Sequence, residues 1–194
     1  MVRLVIGSIL GGLAQFVVGF IFWGTPLSRI AFAVAPDAQN AALQRALALN
    51  LTPTGTGTYH IPWPDTASGT TLHGQGPVAL VHFNSAGFPL MDSGALIGGL
   101  ILSIVATFLI GLALYWITPR VTDFATRAKI VVAVTIATVL YFTIGEPVFN
   151  SYLPWTYFIY LAVAEAVGLV VAGLIVARWF LPGPARSAAD GVTA

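Results

Sequence analysis

The 194-residue chain has a composition that water-soluble domains do not have, since 57% of its residues are hydrophobic and only 8% are charged. The formal net charge is +1 and the eight basic residues form no run, so no nucleic-acid-binding surface is expected. Cysteine is absent, which excludes disulfides, thiolate metal ligands and a thiol nucleophile. We therefore predict an all-α integral membrane protein whose first partner is the lipid bilayer.

The first of four apolar runs occupies residues 4–24 and contains no charged residue. At about 1.5 Å per residue, a helix of this length spans roughly 31 Å, which is the thickness of a hydrocarbon core. We assign residues 1–24 to transmembrane helix 1. A cleaved secretory signal is the alternative, because Arg3 precedes the run and small residues follow it at 31–35. The length of the run, and Arg29 between it and those small residues, favour a retained helix.

An insertion at residues 25–93 follows helix 1 and is the most polar part of the chain. Residues 36–50 are predicted to form a short surface helix, since a proline and an aspartate begin the segment. Residues 58–84 are predicted to form a β-hairpin with a loop at 65–76, because two β-prone runs flank a turn-rich stretch. A two-stranded hairpin is marginal in water, so we expect it to lie against the helices or a partner.

Three further apolar runs predict transmembrane helices 2, 3 and 4 at residues 94–117, 130–149 and 155–180. The third is rich in β-branched residues, but an isolated strand in lipid would leave backbone groups unpaired at a cost of several kcal/mol each, which favours a helix. A cytoplasmic loop at 118–129 joins helices 2 and 3, and a cytoplasmic tail occupies 181–194. The predicted fold class is a four-transmembrane-helix bundle with a small α+β extracytoplasmic insertion between helices 1 and 2.

The basic residues predict how the helices are oriented. If the four helices alternate in direction, one side of the membrane holds Arg3, Arg120, Arg127, Lys129, Arg178 and Arg186. The other side has only Arg29 and Arg45, in an insertion long enough to have little influence on orientation. We expect both termini in the cytoplasm and residues 25–93 outside it, in a bacterial inner membrane.

Small residues recur at four-residue spacings in the apolar runs, and such spacings allow helix backbones to approach closely in lipid. The candidates for helix packing are Gly7, Gly11, Gly99, Ser103 and Gly168. The same faces suit a protein partner or a second copy of the chain, and the sequence does not separate these arrangements.

The intramembrane polar candidates are Glu165, Glu146 and Gln15. A charge at the depth of Glu165 would cost at least ~2.5 kcal/mol, so we expect its carboxyl to be protonated, paired or hydrogen-bonded. It is either a titrating group for transport or a neutral carboxyl that joins helices through Gln15, a tyrosine or a threonine. Glu146 precedes Pro147 near the outer end of helix 3, where it can simply reach water.

All three histidines, His60, His73 and His82, lie in the insertion. Strand alternation puts His60 and His82 on one face, and three imidazoles with a carboxylate or water can hold zinc or copper. Their spacing matches no ligand motif, and histidines in an exposed loop are more often hydrogen-bonded polar residues. No cofactor is predicted beyond this zinc or copper hypothesis.

The sequence contains no phosphate-binding loop, dinucleotide fingerprint, zinc-protease motif or serine nucleophile elbow. We predict an accessory or interaction subunit of a membrane protein assembly, with no catalytic residue and with the insertion as its docking surface. Two alternatives stay open. One is an outer-surface histidine metal site that acts on a membrane-soluble substrate, and the other is a small transporter that uses Glu165 as its titrating group.

Overall fold

A computed structural model describes residues 1–183. In chain order its elements are α1 (Val2–Trp23), a 3₁₀ turn (Pro26–Ile30), α2 (Asp37–Leu51), β1 (Gly57–Ile61), α3 (Ala67–Gln75), β2 (Ala79–Phe83), α4 (Ser93–Ile117), α5 (Phe124–Val139), a π-helical segment (Leu140–Ile144), α6 (Gly145–Phe149) and α7 (Trp155–Trp179). The predicted tail at 181–194, including Arg186, lies outside the described residues from 184 onward.

Four long apolar helices and one small two-stranded sheet are present in the described chain, which confirms these two predictions. The third long helix runs from Phe124 to Phe149 and is built from α5, the π-helical segment and α6. It begins at Phe124 rather than 130 because Asp123 caps it, with Asp123 Oδ1 accepting from the Thr126 backbone N–H at 2.8 Å. Hydrogen bonds from Thr126 hold the pKa of Asp123 below its ordinary value, so the cap carries its charge at neutral pH.

The bundle is organised around α1 and α7. Helix α1 packs along both α4 and α7, and α5 packs on the other side of α7. Helices α4 and α5 make almost no contact with each other within residues 1–183, although a short loop joins them. The buried core lies near this loop and consists of Leu4, Leu114, Val131, Val176, Ala177 and Leu181. The four long helices are therefore packed around a shared core at the end of the bundle that holds the loop, which we call its closed end.

We call this closed end the basic end, because Arg3, Arg120, Arg127 and Arg178 lie there. Arg3 Nη2 donates to the Trp179 carbonyl oxygen at 3.4 Å, which places the start of α1 beside the end of α7. The Arg178 guanidinium lies 5.5 Å from the centre of the Phe124 ring at the start of α5. The opposite end, which carries the insertion, is the insertion end.

Arg127 was expected in the loop at 118–129, but it lies in α5 and is only 1% exposed. Its Nη2 donates to the Pro182 carbonyl oxygen at 2.7 Å and to Thr118 Oγ1 at 3.4 Å, and its Nε donates to the Val121 carbonyl oxygen at 3.0 Å. One side chain thus joins the end of α4, the following loop and the chain after α7. We call this set of bonds the Arg127 clamp.

Helices α1 and α4 touch backbone to backbone at Gly12, which sequence analysis did not single out. A Cβ atom placed on Gly12 would lie 2.5 Å from Ile104 Cα and 2.7 Å from Ile104 N. Both are backbone atoms, so rotation of a side chain cannot relieve the overlap. Four of the predicted packing residues lie at contacts with other parts of the chain: Gly7 faces Phe180, Gly11 faces Thr107 and Ala172, Gly99 faces Phe16, and Gly168 faces Gln15. Ser103 Oγ instead donates to the Gly99 carbonyl oxygen within α4.

The insertion differs from the predicted hairpin in the connection between its strands. Residues 65–76 were predicted as a loop, but they contain α3, which Thr66 caps by accepting from the Gly69 N–H at 2.9 Å. The helix ends at Gly76, whose φ of 68° suits glycine. Strands β1 and β2 pair antiparallel. Helix α2 begins at Asp37, close to its predicted start, and has no buried residue.

Candidate functional site

A cavity of about 1180 Å³ lies among the long helices in the half of the bundle nearest the insertion. Helix α1 lines it within 15–24, α4 within 95–103, α5 and the π-helical segment within 138–143, and α7 within 164–169. The loop before α4 forms its rim. Because α4 and α5 make almost no contact with each other, no packing between these two helices closes the cavity on the side where lipid would lie around a membrane protein.

Glu165 lies in the wall of this cavity, on α7, and its carboxyl is hydrogen-bonded to the π-helical segment that follows α5. Thr143 Oγ1 donates to Glu165 Oε2 at 2.5 Å, and Thr143 itself is 7% exposed. Thr143 belongs to the π-helical segment, and a π turn changes the angular position of the side chains around it. Of the partners expected for the Glu165 carboxyl, the structure therefore shows a threonine.

Gln15 lines the same cavity from α1, but it is held by a different partner. Thr107 Oγ1 on α4 donates to Gln15 Oε1 at 3.2 Å, and Thr107 is fully buried. A Cβ on Gly168 of α7 would lie 3.4 Å from Gln15 Cγ. Gln15 thus marks the place where α1, α4 and α7 meet, and its amide adds hydrogen-bonding capacity to the cavity wall.

A second carboxylate, Asp92, lies at the rim of the cavity. Asp92 Oδ1 accepts from the Gly94 N–H at 2.8 Å and so caps α4. Within residues 1–183, no lysine, arginine or histidine lines the cavity. Its charged groups are therefore all acidic.

Glu146, the other intramembrane carboxylate candidate, lies outside the cavity. It is exposed, and its Oε2 accepts from Asn150 Nδ2 at 3.3 Å. The structure thus brings Glu165 and Gln15 to one cavity and separates Glu146 from them.

Two of the three histidines lie together in the insertion. The His60 and His73 rings are stacked with centroids 5.5 Å apart and planes inclined by 8°, and Tyr152 packs edge-on against both. Tyr152 lies in the loop between α6 and α7, so this cluster joins the insertion to the bundle. His60 Nδ1 is hydrogen-bonded to the Pro62 carbonyl oxygen at 3.1 Å.

His82 has a different partner from the other two histidines. It pairs across the sheet with Thr58, and its Nδ1 lies 3.0 Å from Thr58 Oγ1. Among the described residues, no group of three or more His, Cys, Asp or Glu side chains is placed to hold a metal ion. The zinc or copper site stays a prediction that these ring positions do not support.

Sequence analysis missed Thr143 and the aromatic cluster at the insertion end. Trp23 of α1 packs against Tyr160 of α7 with ring centroids 5.2 Å apart, and the Tyr160 hydroxyl donates to the Phe22 carbonyl oxygen at 2.6 Å. Thr143 could have been noticed as a polar residue within an apolar run. Such a threonine is weak evidence for a site, because threonines in helices often hydrogen-bond to the backbone of their own helix.

The cavity wall combines polar and apolar groups. It offers a carboxyl, hydroxyls and an amide in otherwise apolar walls, and within residues 1–183 no histidine or lysine lies beside those hydroxyls to activate a nucleophile. Comparison with protein-family models, with curated proteins and with solved structures found no match for this chain.

Proposed function

We propose that the chain is an integral membrane protein whose cavity binds a membrane-soluble amphipathic molecule. The observation that carries this proposal is the Glu165–Thr143 pair, which lies in the wall of a large and mostly apolar cavity that packing between α4 and α5 does not close. Ligand sites typically combine apolar walls with a few polar groups that orient the ligand, and volumes up to about 1000 Å³ are common. The cavity has the composition of such a site, and its volume of about 1180 Å³ lies slightly above that range.

The membrane placement is part of this proposal. Four helices have mean hydropathy between 1.9 and 2.5 and are long enough to cross a bilayer. The basic end would face the cytoplasm with both termini, and the insertion would face outward, in a bacterial inner membrane. The cavity would then open to the outer half of the bilayer, so a molecule dissolved in lipid could enter it between α4 and α5 without crossing water.

Narrowing the cavity is expected to weaken ligand binding. Gly19 lines the cavity and has no atom within 4 Å of the place its Cβ would occupy, so the Cβ of Gly19→Leu fits and the rest of the side chain takes up ligand volume. We expect a small molecule to co-purify with the wild-type protein from native membranes and to be depleted in Gly19→Leu. Native mass spectrometry of the purified proteins measures this difference.

Gly98→Leu is the matched control for that experiment. Gly98 is also a helical glycine with open space around its Cβ position, but it lies outside the cavity on α4. The control is expected to retain the bound molecule. Equal occupancy in wild type and Gly19→Leu would contradict the proposed binding function.

The second candidate function is an accessory subunit of a membrane protein assembly, with the insertion as its docking surface. It is favoured by the exposed apolar side chains of the insertion, of which Val34 is 85% exposed, Leu49 77% and Trp63 58%. Blue-native electrophoresis and crosslinking from a mild detergent test this role. A stable monomer without a partner would count against it.

A further inference from the structure

We infer that the molecule bound in the cavity is a lipophilic cation: an amphipathic compound with an apolar body and an amine or other positively charged head. This inference rests on the proposed binding function and adds the charge of the ligand to it. Three features of the cavity lead to it, namely the sign of its charged groups, the free oxygen of Glu165 and its aromatic walls.

The charge of the cavity favours a cation. Its two ionisable side chains, Glu165 and Asp92, are both acidic, and within residues 1–183 no basic side chain lines it. Arg3, Arg120, Arg127 and Arg178 lie at the basic end, on the far side of the buried core. Arg29 and Arg45 lie in the insertion and do not line the cavity. An ionised carboxylate is costly among lipid chains unless a positive charge pairs with it, and a bound cation supplies that charge. An anion would be repelled by an ionised Glu165 or Asp92, and the hydrogen-bond donors it would meet there are neutral groups such as the hydroxyls and the Gln15 amide.

The hydrogen bonding of Glu165 leaves one side of its carboxyl available. Oε2 accepts from Thr143, whereas Oε1 accepts no hydrogen bond within residues 1–183. The bond to Thr143 fixes the orientation of the carboxyl. Oε1 is therefore free to accept from the N–H group of an ammonium head, which would form a charge-assisted hydrogen bond.

The walls of the cavity are rich in aromatic rings. Phe16, Phe20 and Trp23 line it from α1, and Phe142 lines it from the π-helical segment. The faces of such rings attract cations, most strongly where water is excluded, and they also provide apolar surface for the body of the ligand. Carboxylates and aromatic rings together suit a cation that is also lipophilic.

Two ions of nearly equal size and opposite charge test the inference: tetraphenylphosphonium and tetraphenylborate. Binding of each is measured by equilibrium dialysis with the full-length protein in nanodiscs, and uptake by nanodiscs that carry Gly19→Leu is subtracted to remove partition into lipid. Tetraphenylphosphonium has no N–H group, so the two ions compare charge alone. We expect saturable binding of tetraphenylphosphonium and at least about tenfold weaker binding of tetraphenylborate, because the carboxylates and aromatic rings attract the first charge and repel the second.

Glu165→Gln is expected to weaken tetraphenylphosphonium binding by about tenfold or more, because the amide keeps the shape of the carboxyl without its charge. Glu146→Gln removes an exposed carboxyl outside the cavity and is expected to bind like wild type. Equal, saturable binding of both ions that Gly19→Leu weakens would overturn the cation inference and leave the proposed binding function in place. Binding of neither ion above the Gly19→Leu background, together with equal co-purified ligand in both proteins, would overturn both.

Discussion

Replacing Arg127 with methionine is expected to unfold the basic end of the bundle at a much lower temperature than in the wild-type protein. The guanidinium is 1% exposed and supplies the three hydrogen bonds of the Arg127 clamp. Methionine fills much of the volume but donates nothing, so two carbonyl oxygens and a hydroxyl lose a charged donor. A loss on the order of 3 kcal/mol follows from typical values for such bonds, which corresponds to a fall of about 10 °C in Tm for a chain of this size.

Arg120→Met is the control for this measurement. Arg120 lies at the same end of the bundle, between α4 and α5, and carries the same charge, but its side chain is exposed. Thermal unfolding of both variants, followed by circular dichroism in one detergent, separates the loss of the clamp from the loss of a positive charge. Equal melting temperatures for Arg127→Met and Arg120→Met would show that the clamp does not stabilise the bundle.

Gly12→Ala is expected to separate α1 from α4 and to destabilise the protein by about 1–3 kcal/mol, the usual cost of overpacking. The added methyl group would lie 2.5 Å from Ile104 Cα, and backbone cannot move aside as a flexible side chain can. The higher helix propensity of alanine acts in the opposite direction by at most about 1 kcal/mol. The steric cost is therefore expected to dominate, and thermal unfolding in detergent measures the net effect.

Gly19→Ala makes the same chemical change about two turns further along α1, on nearly the same face of the helix. No atom lies within 4 Å of its Cβ position, so only the propensity gain applies and the variant is expected to be as stable as wild type or slightly more stable. If Gly12→Ala melted at the temperature of Gly19→Ala, the close backbone contact between α1 and α4 would be refuted.

The long helices could be predicted because their signal is local. A run such as 4–24 without a charged residue has the length of a membrane-spanning helix, and a helix satisfies its backbone hydrogen bonds within the run itself. The small-residue spacing also pointed to Gly7 and Gly11, which lie in the bundle. It missed Gly12, because which of two adjacent glycines meets Ile104 depends on how α1 and α4 are rotated against each other.

The candidate site was only partly predictable for the same reason. Glu165 and Gln15 stand out as polar residues in apolar runs, but the cavity exists because α4 and α5 diverge, and divergence is a property of the whole bundle. Nothing local indicated the π-helical segment that carries Thr143. Arg127 was taken for a loop residue, since a positive charge near a helix end usually reaches water.

Chemical labelling of a single thiol measures whether the cavity admits a cation. The chain has no cysteine, so Ser103→Cys provides the only thiol, in the cavity wall of α4. Val105→Cys is the control, because Val105 is exposed on the same helix at nearly the same depth but does not line the cavity. The reagents are two methanethiosulfonates, one with a trimethylammonium head and one with a sulfonate head.

In nanodiscs, the cationic reagent is expected to modify Ser103→Cys, and tetraphenylphosphonium is expected to slow that reaction. The anionic reagent is expected to react more slowly with the same variant, and neither reagent is expected to modify Val105→Cys. Mass spectrometry of the intact protein measures each reaction. If Ser103→Cys proved as inert as Val105→Cys toward the cationic reagent, the cavity would not be the cation site described here.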